Sequence, residues 1–246
     1  MLQIKDINVY YGSSQILRNV SFRVKENSVT VLMGRNGVGK STTLKTEMGL
    51  LKSKGGSILF GGKEMSPLSP EQRARQGIGY VPQGREIFPH LTVLENLNIS
   101  MVIHKTKDGG HLDKVLDLFP VLKSMLQRQG GVLSGGQQQR VFLARALAQE
   151  SDLYLMDEPF AGVDAATESS IIKLLQDLKS KGKTLIVVHH DLPTARHYFD
   201  MLLLLNMRVV AFGPTEKVFT NDLLQKTYGG RLTILSEVAQ TVGEKP

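Results

Sequence analysis

The sequence predicts an α/β fold: a largely parallel sheet covered by helices on both faces, with antiparallel strands near the N-terminus and a helical insert. Three observations lead there. Short apolar runs at Val29–Met33, 153–156, 185–188 and Met201–Leu205 have the length and character of buried strands. Helix-compatible stretches such as 40–51 and 168–178 alternate with those runs, as they do where crossover helices join parallel strands. Residues 4–24 behave differently, alternating apolar and polar with Ile7, Val9, Val20, Phe22 and Val24 on one parity within each run, which predicts half-exposed antiparallel strands.

The elements follow in order. After the paired strands of 4–24, the apolar run Val29–Met33 leads into a glycine-rich turn and then the helical stretch 40–51, a strand-loop-helix unit. Between about 86 and 149 no convincing strand is visible, only helical patterns broken by Pro89, Pro120 and the Gly130, Gly131 pair. We therefore expect a single domain over 1–246. Its α/β core and β subdomain span 1–85 and 150–240, a helical subdomain spans about 86–149, and 241–246 form a loose tail. No internal repeat or low-complexity tract is visible.

Composition narrows the function. The chain has 246 residues, 41% of them apolar, enough for a buried core. Its first residues lack the apolar region of a secretory signal. Its apolar runs fall far short of the ~20 residues that cross a bilayer, so the chain is expected not to span a membrane by itself. The absence of cysteine excludes disulfides, thiolate catalysis and cysteine metal sites. The net charge of +7 comes from scattered residues, without interleaved aromatics for stacking on bases, so no nucleic-acid partner is expected.

The chemistry begins at Gly34, Arg35, Asn36, Gly37, Val38, Gly39, Lys40 and Ser41, which fit the phosphate-loop pattern G-x-x-x-x-G-K-[ST]. The pattern stands after a predicted strand and before a predicted helix, where such a loop must be. Glycines let backbone N–H groups close around phosphate oxygens, and the helix start adds partial positive charge. Lys40 would reach the terminal phosphates, and Ser41 would ligate Mg²⁺. The motif predicts a phosphate-loop NTPase, RecA-like core.

A second apolar strand ends in Asp157 and Glu158, at the edge where the same sheet delivers groups to phosphate. Phosphoryl transfer needs metal charge and a positioned nucleophile. Asp157 is therefore expected to hold Mg²⁺, and Glu158 to orient or deprotonate the attacking water. A third feature is the string LSGGQQQR over 133–140. Ser134 and Gln137 have capping-box spacing, predicting a helix start with free N–H groups, a second anion site. One chain has no use for two such sites around one terminal phosphate.

LSGGQQQR, some twenty residues before LYLMDEP, resembles the signature of ABC ATPases, and the resemblance covers essentially the whole chain. It implies an ATPase that binds ATP and Mg²⁺. It also implies that the nucleotide sites are completed by a second copy of the chain or a homologous ATPase subunit, and that the assembly powers transmembrane permease subunits. By this resemblance Tyr11 stacks on adenine, Gln83 links Mg²⁺ and water to the membrane partner, Asp164 crosses the dimer interface, and His190 is the switch histidine at the γ-phosphate. The implied nucleotide contacts also include Thr42, Ser134, Gly135, Gly136 and Gln137. Permease subunits are expected to dock at the Gln83 region and the helical subdomain. The implied location is cytoplasmic, peripheral on the inner face of the plasma membrane. An ABC ATPase that powers assembly of iron-sulfur clusters has the same site and stays open as an alternative.

Within that family the two halves point in different directions. GRNGVGKSTTLKT, IGYVPQGREIFPHLTVLENL and LFPVLKSML resemble ATPase subunits of branched-chain amino-acid and urea importers. From VFLARALAQE onward, MDEPFAGVDAATE, VVHHDL and LQKTYGGRL resemble those of manganese and zinc importers. A natural or engineered recombinant of two paralogues joined at LSGGQQQR is the favoured reading, an engineered chimera then having no native partner, with a single lineage keeping features of both as the other. Partner choice is then expected to follow the first half. His189 and His197 lie close to His190, but His189 alternates away from it and no ligand cluster completes a zinc spacing. Glu47 falls, by helical spacing from Thr43, Leu44 and Leu51, on a core-facing position, where an unpaired carboxylate is costly.

Overall fold

Val29–Met33 forms β3, an interior strand of a six-stranded sheet, and the neighbouring apolar runs build out from it. In the computed structural model, which describes residues 1–84, 86–101 and 110–229, this sheet comprises β6 (Ile78–Val81), β7 (Leu153–Asp157), β8 (Thr184–Val188), β9 (Met201–Leu205) and β10 (Val209–Pro214), besides β3. The order is β10-β9-β3-β8-β7-β6. All pairings are parallel except that of β10, which adds antiparallel at one edge.

Side-chain alternation divides each interior strand between two cores. Val29, Val31 and Met33 face one core while Leu32 faces the other. Leu185 and Val187 likewise oppose Ile186 and Val188, and Leu202 and Leu204 oppose Leu203 and Leu205. Strands buried on both faces read as continuous apolar runs, which is why these were visible in sequence.

The second core is closed by the antiparallel sheet. β1 (Leu2–Tyr11) and β2 (Ser14–Val24) pair as the alternation of 4–24 predicts. β4 (Gly55–Phe60) and the two-residue β5 (Lys63–Glu64) extend them in the order β2-β1-β4-β5. Leu2, Ile4, Ile7 and Val9 from β1 meet Leu44 and Met48 of α1 (Lys40–Met48) there. The predicted helix 40–51 ends earlier because Gly49, at φ 86°, turns left-handed and returns its N–H to the carbonyls of Lys45 and Thr46.

Helices supply the other core. After α2 (Pro70–Arg75) come α3 (Val93–Met101), α4 (Gly110–Leu118) and α5 (Gly135–Leu147), with 3₁₀ turns at Pro120–Met125 and Gly130–Val132. Between 86 and 149 the described residues hold no strand, only the isolated bridge of Thr92 with Gln129. α6 (Ala165–Ser180), α7 (Leu192–Tyr198), α8 (Thr215–Val218) and α9 (Asn221–Tyr228) complete the fold. The expected tail at 241–246 lies outside the described residues. Among those described, no helix is long and apolar enough to cross a membrane.

Candidate active site

Four parallel strands end on the same edge of the large sheet, and each is followed by a residue singled out from sequence. β3 leads to the loop at 34–39, β6 to Gln83, β7 ends at Asp157 before Glu158, and β8 leads through His189 to His190. The C-terminal edge of a parallel sheet is where such folds bind ligands.

The loop is built around its glycines and its lysine. Gly34 has φ 152°, and a β-carbon there would collide with the Leu205 carbonyl oxygen; Gly39 has φ 104°, and its β-carbon would lie 2.5 Å from Leu17 Cδ2. A larger residue at either position would push the loop off β9 or β2. Lys40 Nζ donates to the carbonyls of Gly34 and Arg35, each at 2.9 Å, while the Val38 carbonyl accepts from the Met207 N–H at 3.0 Å. Arg35, Asn36 and Gly37 are exposed, and Val38 and Thr42 are buried. Burial pushes the Lys40 ammonium below its ordinary value, opposed by the carboxylates of Glu158 and Asp157.

Ser41, in the first turn of α1, donates its hydroxyl to Asp157 Oδ1 at 3.0 Å. The Asp157 side chain is 1% exposed. Burial raises its pKa, and the Ser41 hydrogen bond only partly offsets this. A buried carboxylate whose charge is costly, paired with a hydroxyl, is a donor set that a hard divalent cation such as Mg²⁺ suits. Beside it Glu158 adopts φ 51°, a left-handed conformation unusual outside glycine. This backbone turn aims its side chain at β6, where Gln83 Nε2 donates to Glu158 Oε2 at 2.9 Å.

The remaining predicted residues are more separate. Tyr11, at the end of β1, is 48% exposed, as a stacking platform must be. His190 is exposed, whereas His189 is buried, as their alternation predicts. Among the described residues no group of three histidine, cysteine or acidic side chains could hold a metal. Asp164 caps α6, accepting from the Thr167 N–H at 2.8 Å and the Thr167 hydroxyl at 3.1 Å, contacts that hold its carboxyl below the usual range.

Ser134 and Gln137 form the expected capping box at the start of α5. Ser134 Oγ accepts from Gln137 N–H at 3.4 Å, and Gln137 Oε1 accepts from Ser134 N–H at 3.0 Å. The box occupies the Gln137 N–H and leaves those of Gly135 and Gly136 at the helix start. Among the hydrogen bonds of the described residues, none joins 134–137 to the loop at 34–42. Among the described residues the two helix starts thus share no hydrogen bond.

Three contacts went unforeseen. Gln139 Nε2 donates to the Pro159 carbonyl at 2.7 Å, and Arg140 donates to Thr167 Oγ1 at 3.1 Å, so α5 holds the start of the loop from Glu158 to Asp164 and the first turn of α6 that follows it. Arg145 lies over the rings of Phe88 and Phe142 and donates to the Glu86 carbonyl, tying α5 to the segment after Gln83. The first two lie inside LSGGQQQR, where the helix start drew the attention. Arg145 carries little local signal, because apart from Phe142 one turn earlier on α5 its partners, the Glu86 carbonyl and the Phe88 ring, are distant in sequence.

A glycine-rich loop closed by a buried lysine, with a strand-end carboxylate bonded to the following serine, defines a phosphate-loop NTPase. The family model described as ABC transporter matches residues 17–161, and the chain belongs to that family. It is an ABC-type ATPase.

It is 46% identical to the manganese transport system ATP-binding protein MntB of Bacillus subtilis (strain 168), over 99% of this chain and 98% of that one. It is 43% identical to the zinc transport system ATP-binding protein TroB of Treponema pallidum (strain Nichols), over 94% of this chain and 88% of that one. The ADP conformation of MJ1267, an ATP-binding cassette of an ABC transporter, superposes with a TM-score of 0.80 at 29% identity, over 94% of this chain and 99% of that one. MJ0796, a bacterial ABC transporter cassette in a dimeric structure, gives 0.78 at 29%, over 87% and 99%.

These matches give the recombinant reading no support. The alignment with the manganese protein takes in the first half of the chain as well as the second, and it lends no support to an amino-acid or urea lineage for the phosphate-loop half. Two of the three strings that suggested it surround the phosphate loop and Gln83, where phosphate geometry constrains the sequence; the third, LFPVLKSML at 118–126, lies in the helical segment away from the site. Likeness in the first two reports chemistry more than ancestry.

Proposed function

We propose that this chain is the ATP-driven subunit of an importer for manganese or zinc, and that two copies close on Mg-ATP to drive a membrane permease. The whole-length similarity to the manganese and zinc transport proteins carries the cargo assignment. The two anion-accepting helix starts, which share no hydrogen bond, support the paired arrangement, with α5 of one copy offering its Gly135 and Gly136 N–H groups to nucleotide held by the loop of the other. Tyr11 offers its exposed ring to the base, and Asp164 lies at the facing surface.

Within each site the residues divide the work. Backbone N–H groups of 34–42 and the Lys40 ammonium bind the phosphates, Lys40 exchanging its carbonyl partners for phosphate oxygens. Ser41 and Asp157, with Gln83, would hold Mg²⁺, which would supply positive charge to offset that developing on the phosphate. Glu158 accepts the proton of the attacking water, oriented by Gln83, and His190 donates toward the terminal phosphate. Gln83 and the Glu86–Phe88 segment clamped by Arg145 face the permease, on the inner surface of the plasma membrane.

The test is co-purification of the tagged chain with permease subunits of each importer type, combined with uptake of radioactive manganese and zinc. Capture of metal-importer subunits and ATP-dependent uptake are expected. Selective capture of amino-acid or urea permeases, or of iron-sulfur assembly proteins, overturns the cargo assignment.

A further inference from the structure

His189 is a polar ring in a place that a phenyl ring would fill without loss. It is 2% exposed, and neither Nδ1 nor Nε2 has a hydrogen-bond partner. Its backbone N–H is tied to the Leu32 carbonyl of β3 at 3.3 Å. Its ring meets Phe160 edge-on at 4.8 Å, with Phe199 at 6.1 Å and the His190 ring at 5.5 Å. Burial pushes its pKa down to about 4, so the ring is neutral and keeps one donor and one acceptor. A buried donor and acceptor left unmet destabilise the state in which they are unmet. A phenyl ring of similar shape would keep the edge-on stacking without that penalty.

The location gives the unmet nitrogens a use. His189 directly precedes His190. Phe160 lies two residues after Glu158 and four before Asp164, on the loop whose Pro159 carbonyl is gripped by Gln139 of α5. His189 is therefore a packing contact, besides the β7–β8 pairing of Asp157 with Val188, between the strand end that presents His190 and the loop that presents Glu158 and Asp164.

We propose that His189 is a positioning residue, which sets His190 against the Glu158–Asp164 loop through Phe160 and gains a hydrogen-bond partner for its ring when the site closes on ATP. The inference rests on the site reading above. It predicts that the stacking alone does not suffice for turnover and that a ring nitrogen is required.

The experiment measures steady-state ATP hydrolysis, thermal melting and ATP-dependent dimerisation of the full chain for His189→Phe, His189→Asn, His189→Gln and His190→Ala. His189→Phe is expected to melt at or above the wild-type temperature and to keep KM within about twofold. Its kcat is expected to fall about tenfold or more, because small misplacements of reacting groups are costly. Asn, which places an amide near the Nδ1 position, or Gln, which places one near Nε2, is expected to recover several-fold over Phe, identifying the nitrogen in use. Wild-type kcat in His189→Phe overturns the proposal, as does equal loss in all three variants. If His189→Phe does not melt cooperatively, His189→Leu takes its place under the same criteria. His190→Ala separates the two levels: full activity there defeats the site reading itself, whereas its loss beside an active His189→Phe defeats only the inference.

Discussion

Gln83 donates its side-chain N–H to Glu158 Oε2 at 2.9 Å, joining the ends of β6 and β7 across 75 residues of sequence. A glutamine in place of Glu158 can still accept that hydrogen bond through its amide oxygen, so Glu158→Gln should preserve the local geometry while removing the proton acceptor. Hydrolysis is expected to fall by about 100-fold or more, with ATP binding retained. The variant should accumulate as an ATP-bound dimer in size-exclusion chromatography. Unchanged steady-state turnover would remove Glu158 from its assigned role.

Lys40 is 6% exposed and holds the loop through the Gly34 and Arg35 carbonyls. Burial holds its pKa below the ordinary lysine value, opposed by the carboxylates of Glu158 and Asp157. Bound phosphate would add negative charge beside it and strengthen the charged form. Lys40→Ala is therefore expected to weaken nucleotide binding and transition-state stabilisation together, by roughly 3 kcal/mol or about 100-fold. Fluorescent-nucleotide titration and single-turnover hydrolysis read the two effects separately.

The large sheet was legible in sequence because β3, β7, β8 and β9 are buried on both faces and so read as nearly continuous apolar runs, broken at Thr30, Thr184 and the strand-end Asp157. β4, β5, β6 and β10 were not. β5 has only two residues, and β4 begins with two glycines. Gly79 interrupts the apolar pattern of β6 because a β-carbon there would crowd Ser151 and Tyr154. The phosphate loop, the Asp157 and Glu158 pair and the Ser134 cap were legible for a related reason, since each is a short contiguous stretch of sequence. The grip of Gln139 on Pro159 and of Arg145 on Glu86 spans 20 and 59 residues, and nothing local in the chain encodes such partners.

Ser134 combines two roles that substitution can separate. Its hydroxyl caps α5, and its position at the helix start is suited to a phosphate from a second copy. Ser134→Ala loses the cap, at about 1 kcal/mol, and lowers the melting temperature. Ser134→Asp keeps a good capping residue but places negative charge where phosphate would approach. It is expected to melt like the wild type yet fail to dimerise with ATP, as measured by light scattering in a Glu158→Gln background. Dimerisation at wild-type ATP concentrations would mean that this helix start does not meet nucleotide.

Glu47 lies on the buried face of α1, 1% exposed, with both carboxyl oxygens unpartnered. Arg73 is close but spends Nη1 on the carbonyls of Thr46 and Glu47, at 2.8 and 2.7 Å, rather than on the carboxylate. Burial raises the pKa from 4.5 to about 8, with Arg73 pulling weakly the other way. In the folded chain the group is thus mostly protonated at neutral pH, while in the unfolded chain it is ionised. The folded state binds the extra proton between these two values, so this contribution to stability is complete below pH 4.5 and is lost as pH rises toward about 8. Melting temperature should fall over that interval more steeply in the wild type than in Glu47→Gln, which cannot titrate. Glu47→Ile removes the buried polar group altogether and should raise the melting temperature at pH 8, by about 2–4 °C for each kcal/mol recovered. Parallel pH profiles for wild type and Glu47→Gln would show that the carboxyl escapes to solvent or finds a partner, and would place α1 differently against its core.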